Sequence, residues 1–340
     1  MKKVLCFGEL LLRICPDVQG NWIQNHQMSC YVGGAELNVA TALALWKKPV
    51  AYVSALPDNF LATQIINHLE SLEIDCSNIV RNGSRIGTYY LPQGTDLKNT
   101  EVIYDRVYSS FAELNIDSLD WESLFKDIQI FHFSAICPAL NDTIAVICKQ
   151  AIKYAQSAGI FISLDFNYRA KLWQYGKSPS AVMPDLTQGV NLIMGNIWST
   201  SRMLGYAIPA EVSDQVSKEE ANLLAQKLNN QIFEDFPACK FIANTFRFDV
   251  GRGLRYFASY ATPEQQVLSK SYYADSILDK VGSGDCFMAG LLYGLLEEYS
   301  LQDTVDYAAA AAFSKLFISR DATNLTPEVI LNSVKKYEQN

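Results

Sequence analysis

The chain has 340 residues, 49% of them hydrophobic and 12% aromatic, and carries a net charge of -8. This composition excludes a disordered chain, and the length fits one large core with an appendage, or two domains. Mild acidity without any run of lysine or arginine speaks against nucleic acid or an anionic membrane surface as partner, and no stretch reaches the ~18 apolar residues of a transmembrane helix.

The first residues, MKKVLCFGELLLRIC, have the basic start and apolar stretch of a signal peptide. Gly8, Glu9 and Arg13 interrupt that stretch, so a first β-strand is expected instead. Further strands are expected at PVAYVSAL, IQIFHFSA, IFISLDFN, VNLIMGN, KFIANTF and LRYFASY. Helical patterns lie between them, over Ala35 to Leu45, Asn59 to Leu72, Ile144 to Ala158, Lys218 to Leu228, Cys286 to Glu297 and Thr304 to Phe317. Such alternation implies an α/β fold of three layers, a mostly parallel sheet with helices on both faces, and ligands at the carboxyl ends of the strands.

Two regions break the alternation. Residues 10–32 and 84–110 are rich in β-formers and contain no convincing helix, and RIGTYYLPQGT and EVIYDRVYSS read as paired strands of a separate small sheet. The expected organisation is therefore a core of residues 1–9, 33–83 and 111–340 with a β lid of residues 10–32 and 84–110. The same insertion serves equally as a dimerisation surface, since unpaired sheet edges tend to be covered, and a homodimer through the lid is expected.

The eight cysteines (Cys6, Cys15, Cys30, Cys76, Cys137, Cys148, Cys239 and Cys286) form no CxxC pair. Zinc sites and a disulfide framework are thus disfavoured, and reduced thiols in a cytoplasm fit better. His26, His68 and His132 lie far apart, and His132 sits inside a strand-like run, which suits a core histidine better than a ligand or base.

The most informative stretch is late in the chain: ILDKVGSGDCFMAGLLYGL, residues 277–295. Glycines before a helix let backbone N–H groups turn toward one point, and the helix terminus adds partial positive charge there. An anion is expected at Gly282, Ser283 and Gly284, and that positive potential is expected to keep Asp285 ionised. A carboxylate base beside an anion cradle suits phosphoryl transfer to a hydroxyl. A dinucleotide-binding fingerprint would need a third glycine where Phe287 stands, and a Walker A loop would need Gly-Lys-Ser/Thr, which is absent. Taken alone, the motif leaves Asp285 equally readable as a helix N-cap.

The longer pattern, Asp279-x-x-Gly282-x-Gly284-Asp285, together with the early GGAELNVA (Gly33, Gly34, Asn38), resembles the two signatures of the ribokinase-like (PfkB) carbohydrate kinases. The finer segments YYLPQG, VIYDR and LDFNYRAKLW resemble those of 2-keto-3-deoxygluconate kinases. The resemblance implies ATP with Mg²⁺ as phosphoryl donor and a sugar or sugar acid as acceptor. It implies Asp285 as general base, and the N–H groups of Gly282 to Asp285 as the anion hole. Asp279 would shape a monovalent-cation site beside that loop. Gly33, Gly34, Asn38, Tyr90, Tyr104, Arg106, Asn167 and Arg169 would contact the sugar, the two arginines converging on a carboxylate that a guanidinium grips with parallel bonds. Asn196, Thr245, Gly253 and Asn324 would lie on the nucleotide side.

Three positions depart from the family pattern. Ser199 stands where the family carries a glutamate after Asn196. The strand after Lys240 is expected to end in an unusual loop with Asn244, Thr245, Arg247 and Arg252, its glycines, Gly251 and Gly253, coming later than the family's spacing, and Arg247 has either a phosphate or Asp249 to meet. Arg320 replaces a glycine and is expected to narrow the nucleotide pocket. The alternatives are a fructokinase-like enzyme for a neutral sugar, and a sugar-acid-binding protein with weak catalysis on the same fold.

Overall fold

The computed structural model describes residues 2–92, 102–208, 216–250 and 253–336. Seven strands run parallel, in the spatial order Ile74–Arg81, Val50–Leu56, Lys3–Phe7, Ile128–Ser134, Phe161–Asp165, Leu192–Gly195 and Phe241–Val250. Gly253–Ala261 extends the sheet antiparallel to Phe241–Val250, and Gln266–Leu268 and Tyr272–Ala274 pair antiparallel with it in turn.

Why these runs form parallel strands is visible in their burial. Val50–Leu56 is buried at every position, as expected of a strand covered on both faces. On Lys3–Phe7 the side chains alternate: Val4 and Cys6 join one apolar cluster, Leu5 and Phe7 the other. The first cluster is completed by the helices Ala35–Leu45, Phe60–Ser71, Ser283–Leu296 and Leu301–Lys315, the second by Asp142–Ser157, Pro179–Thr187, Ile197–Leu204 and Lys218–Asp235. The expected three-layer α/β core is thus the fold.

Several helices start at side-chain caps that fix their registers. Asn59, Asn141 and Ser300 each accept the backbone N–H three residues on, and Ser217 and Glu220 form a reciprocal capping box. That box begins a helix running to Asp235, past the apolar pattern that ends at Leu228 in the sequence reading.

A separate four-stranded sheet has the order Ser29–Gly33, Leu11–Cys15, Gly87–Tyr90, Ile103–Asp105. Its middle pair is parallel and its outer pairs antiparallel. The region expected to lack helix contains one short turn of it, Asn21–Asn25, closed by His26 in the left-handed conformation. Tyr89 pairs with Tyr104 across the outer strands.

Among the described residues no helix is long and apolar enough to cross a membrane. All eight cysteines are free thiols, with only Cys30 exposed. His132 is buried in the central sheet with Nδ1 2.9 Å from Ser163 Oγ; burial pushes its imidazole down to about 3, so it stays neutral in the core.

Candidate active site

The carboxyl ends of the parallel strands, the small sheet and the glycine loop before Ser283–Leu296 enclose one cavity of about 510 Å³. This is the place the topology predicts for a ligand, and the volume suits a small one.

Two glycines shape its floor because no other residue fits. Gly34 has φ +149°, and a Cβ there would lie 2.7 Å from the Glu9 carbonyl oxygen. Gly282 has φ +76°, and a Cβ there would lie 1.7 Å from the Asp321 carbonyl oxygen. Both are conformations that side-chain-bearing residues rarely adopt. Gly34 lets Ala35–Leu45 start directly at the cavity, so Asn38 reaches into it. Gly282 is the N-cap of Ser283–Leu296 and supplies no side-chain cap; the Ser283 N–H meets the Lys280 carbonyl at 3.4 Å, and the N–H groups of Gly284 and Asp285 face the cavity wall with no side-chain cap.

Asp285 is in the first turn of this helix and is 8% exposed. Its side chain does not cap the helix. Asn38 Nδ2 donates to its Oδ2 at 2.7 Å, and Asn167 Nδ2 lies 3.5 Å from its Oδ1. Burial pushes its carboxyl up to about 7; the Asn38 hydrogen bond opposes that, nearby Asp165 adds to it, and Arg169 opposes it. This corrects the sequence expectation of a firmly ionised carboxylate: desolvation outweighs the positive end of the helix. A base titrating near neutrality is, however, what proton transfer in that pH range favours.

Asp165, which the sequence reading did not select, shares the cavity. It accepts the Asn167 backbone N–H at 2.9 Å, and burial pushes it up to about 6. Its signal was available, since it ends a core strand two residues before Asn167.

The two arginines differ. Arg106 is 6% exposed and its Nε and one Nη lie 2.5 Å from Glu9 Oε2. It lines the cavity, but as half of a buried ion pair; the adjacent Asp105 is held by Arg85 at 2.6 Å. Arg169 also lines the cavity, is half-buried, and has no carboxylate in salt-bridge contact among the described residues. Its one hydrogen bond there is to the Tyr168 carbonyl, at 3.2 Å.

Tyr104 lines the cavity and Tyr90 does not; the neighbour Tyr89 does. The cause is the two-residue alternation of a strand, which sends Tyr89 and Tyr90 of Gly87–Tyr90 to opposite faces. Gly33 ends its strand behind the cavity, where a Cβ would meet Leu11 at 3.2 Å.

On the far side of the cavity stand Asn196, Trp198, Ser199, Arg202, Thr245, Arg247 and Lys280. Asn196 and Ser199 cap each other: Ser199 N–H donates to Asn196 Oδ1 at 2.8 Å, and Asn196 N–H donates to Ser199 Oγ at 3.0 Å. The serine thus begins the helix Ile197–Leu204 and projects no charge into the cavity. The segment read as an unusual loop is strand through Val250. Alternation turns Phe246 and Phe248 into the core and Thr245 and Arg247 toward the cavity. Gly251 and Arg252 lie outside the described residues. Gly253 and Asn324 are not at the cavity: Gly253 packs on the Ala274 carbonyl and Asn324 is exposed. Arg320 is exposed as well and does not narrow the cavity.

Asp279, expected to shape a monovalent-cation site, is engaged otherwise. Its Oδ2 lies 3.2 Å from both Nη atoms of Arg13, and its Oδ1 accepts the Val281 N–H at 3.0 Å. Among the described residues no group of three or more His, Cys, Asp or Glu side chains converges as a metal site.

Known proteins resemble this chain over nearly its whole length. The model of the pfkB family carbohydrate kinases matches residues 1–232 and 256–323. A 2-dehydro-3-deoxygalactonokinase of Haloferax volcanii is 26% identical over 332 residues, covering 96% of this chain and 95% of that protein. The crystal structure of a 2-dehydro-3-deoxygluconokinase from Thermotoga maritima superposes with a TM-score of 0.88 at 30% identity, covering 98% of this chain and all of that one. A fructokinase from Xylella fastidiosa, solved with bound ATP, shares the fold with a TM-score of 0.76 at 18% identity, covering 99% of this chain and 100% of that one.

Proposed function

Since the chain belongs to the pfkB family of carbohydrate kinases, we propose that it transfers the γ-phosphoryl group of ATP to a hydroxyl of a sugar acid, 2-keto-3-deoxygluconate or a close analogue. The observation that carries this reading is Asp285 in the first turn of a helix N-terminus, inside a cavity that also holds Arg169, which makes no salt bridge among the described residues. A half-buried guanidinium that makes no salt bridge can grip a substrate carboxylate with two parallel bonds, a group that an acidic sugar supplies and a neutral sugar lacks.

In this reading the acceptor hydroxyl sits beside Asp285, oriented by Asn38 and Asn167. Asp285 takes its proton as the hydroxyl oxygen attacks the γ-phosphorus. The N–H groups of residues 282–285 receive the charge that develops on the transferring phosphoryl. Arg169 binds the substrate carboxylate, and Tyr104 covers the sugar. Asn196, Thr245 and Arg247 lie on the donor side. Magnesium would travel on the nucleotide phosphates, where it would neutralise charge; the described residues build no carboxylate cage for it, and that ion keeps several waters and leans on phosphate oxygens.

One observation favours the neutral-sugar alternative: Arg106 already has its carboxylate in Glu9. The alternatives separate on Arg169→Gln. For a sugar-acid substrate the variant should raise KM by about 10–100-fold, the worth of a lost charged hydrogen-bonded pair. An unchanged KM would assign the site to a neutral sugar. The small sheet exposes Met28, Ile103, Val107 and Tyr108, and a homodimer formed through it belongs to the same reading.

A further inference from the structure

Behind the glycine loop, on the side away from the cavity, lies a buried cluster of charges. Arg13 comes from the small-sheet strand Leu11–Cys15 and is 0% exposed. Its Nη1 lies 2.5 Å from Asp321 Oδ1, and both its Nη atoms lie 3.2 Å from Asp279 Oδ2. Tyr89, from the neighbouring strand, donates to Asp321 Oδ2 at 3.1 Å. Lys315 is also 0% exposed, donates to the Ile318 carbonyl at 3.1 Å, and feels both carboxylates electrostatically. Both acidic residues touch the loop directly: Asp279 through its carboxylate, whose Oδ1 holds the Val281 N–H, and Asp321 through its backbone carbonyl, which sits where a Cβ of residue 282 would be.

From this geometry we infer that Arg13 is the fixed counter-ion of the phosphoryl-binding loop, doing with a side chain what a bound monovalent cation would do at Asp279. The inference rests on the kinase reading above. Two carboxylates face two cationic side chains, so no negative charge is left over to draw in a further cation. Asp279 Oδ2, the oxygen such an ion would need, is already spanned by a guanidinium. Arg13 is a positioning residue: it touches neither substrate nor donor and acts through Asp279 and Asp321 on the backbone of 281–282. Because it and Tyr89 are carried by the small sheet, the same cluster ties that sheet to the loop, so a displacement of one strains the other.

The test compares wild type, Arg13→Ala and Arg13→Lys in potassium chloride and in tetramethylammonium chloride of equal ionic strength, by thermal melting and by ADP release. Wild type should melt at the same temperature in both salts and show less than about a twofold change in kcat. A bound potassium would instead lift the melting temperature by mass action. Arg13→Ala should lose activity in tetramethylammonium and regain about tenfold or more in potassium, with a matching upward shift in melting, because a potassium ion then enters between two uncompensated carboxylates. Arg13→Lys should stay largely independent of potassium. The melting comparison needs no substrate, so it is readable even if the proposed acceptor proves wrong. Potassium-specific stabilisation and activation of the wild type would overturn the inference, whether or not Arg13→Ala folds. So would an Arg13→Ala variant that folds and behaves identically in the two salts.

Discussion

Asp285→Asn is the substitution with the most to say. The amide keeps the shape and can still meet Asn38, but it cannot take a proton. General-base catalysis is worth about 10²–10⁴-fold, so kcat should fall by that much. Stability should move the other way. Burial pushes the native carboxyl up to about 7 from the ordinary aspartate value of 3.8. The unfolded chain therefore releases this proton at lower pH than the native one. Between those values the native state holds more protons, so stability falls as pH rises, and the cost is complete above pH 7. A shift of that size corresponds to about 4 kcal/mol at 1.36 kcal/mol per unit, an upper figure for a group that keeps a hydrogen bond. Removing the charge should recover on the order of 2–4 kcal/mol at pH 8 and almost nothing below about pH 3, where both states are protonated. Melting curves of the substrate-free protein at several pH values, beside an ADP-release assay, read both effects. A melting difference that does not grow with pH, or a variant that keeps wild-type kcat, would refute the assignment of Asp285 as a buried, catalytically used base.

Three further outcomes follow from the same geometry. The wild-type kcat/KM should rise with pH and level off above about 7, because the base must be ionised; Asp165, pushed up to about 6, is coupled to it, so the acid limb should be broadened over two steps. A profile flat from pH 5.5 to 8 would contradict this. Gly282→Ala must place a methyl group 1.7 Å from a backbone oxygen at φ +76°; chemical denaturation should show a loss of about 2–5 kcal/mol together with loss of turnover. Tyr89→Phe removes the donor to Asp321 from a ring that lines the cavity and should lower the melting temperature, whereas Tyr90→Phe should leave KM for the sugar within about twofold, since alternation turns that ring away from the cavity.

The core was legible because parallel strands buried on both faces are almost continuously apolar, and the glycine loop was legible because its chemistry is local in sequence. What escaped the sequence depended on tertiary placement. Tyr90 and Tyr89 are adjacent and chemically equal, so only strand phase decides which one meets the cavity. Arg106 has acidic neighbours in sequence, and its actual partner, Glu9, comes from the other end of the chain. Arg13 drew attention only as an interruption of an apolar run, although it closes a cluster with Asp279 and Asp321 more than two hundred residues away. The segment after Asn244 read as a loop because its glycines lack the family spacing; its alternating Phe246 and Phe248 were the strand signal. Asp285 was found by motif, but its ionisation was misjudged, since the positive helix end is written in the sequence and the depth of burial is not.

The most direct measurement is a competition in one tube: 2-keto-3-deoxygluconate and fructose at equal concentration, with ATP and magnesium, and the phosphorylated products identified by mass spectrometry. Phosphorylated sugar acid exceeding hexose phosphate by about tenfold or more is the predicted result, given the discrimination a charged, partly buried hydrogen-bonded pair supplies. Hexose phosphate as the main product, or no phosphorylated product, would contradict it.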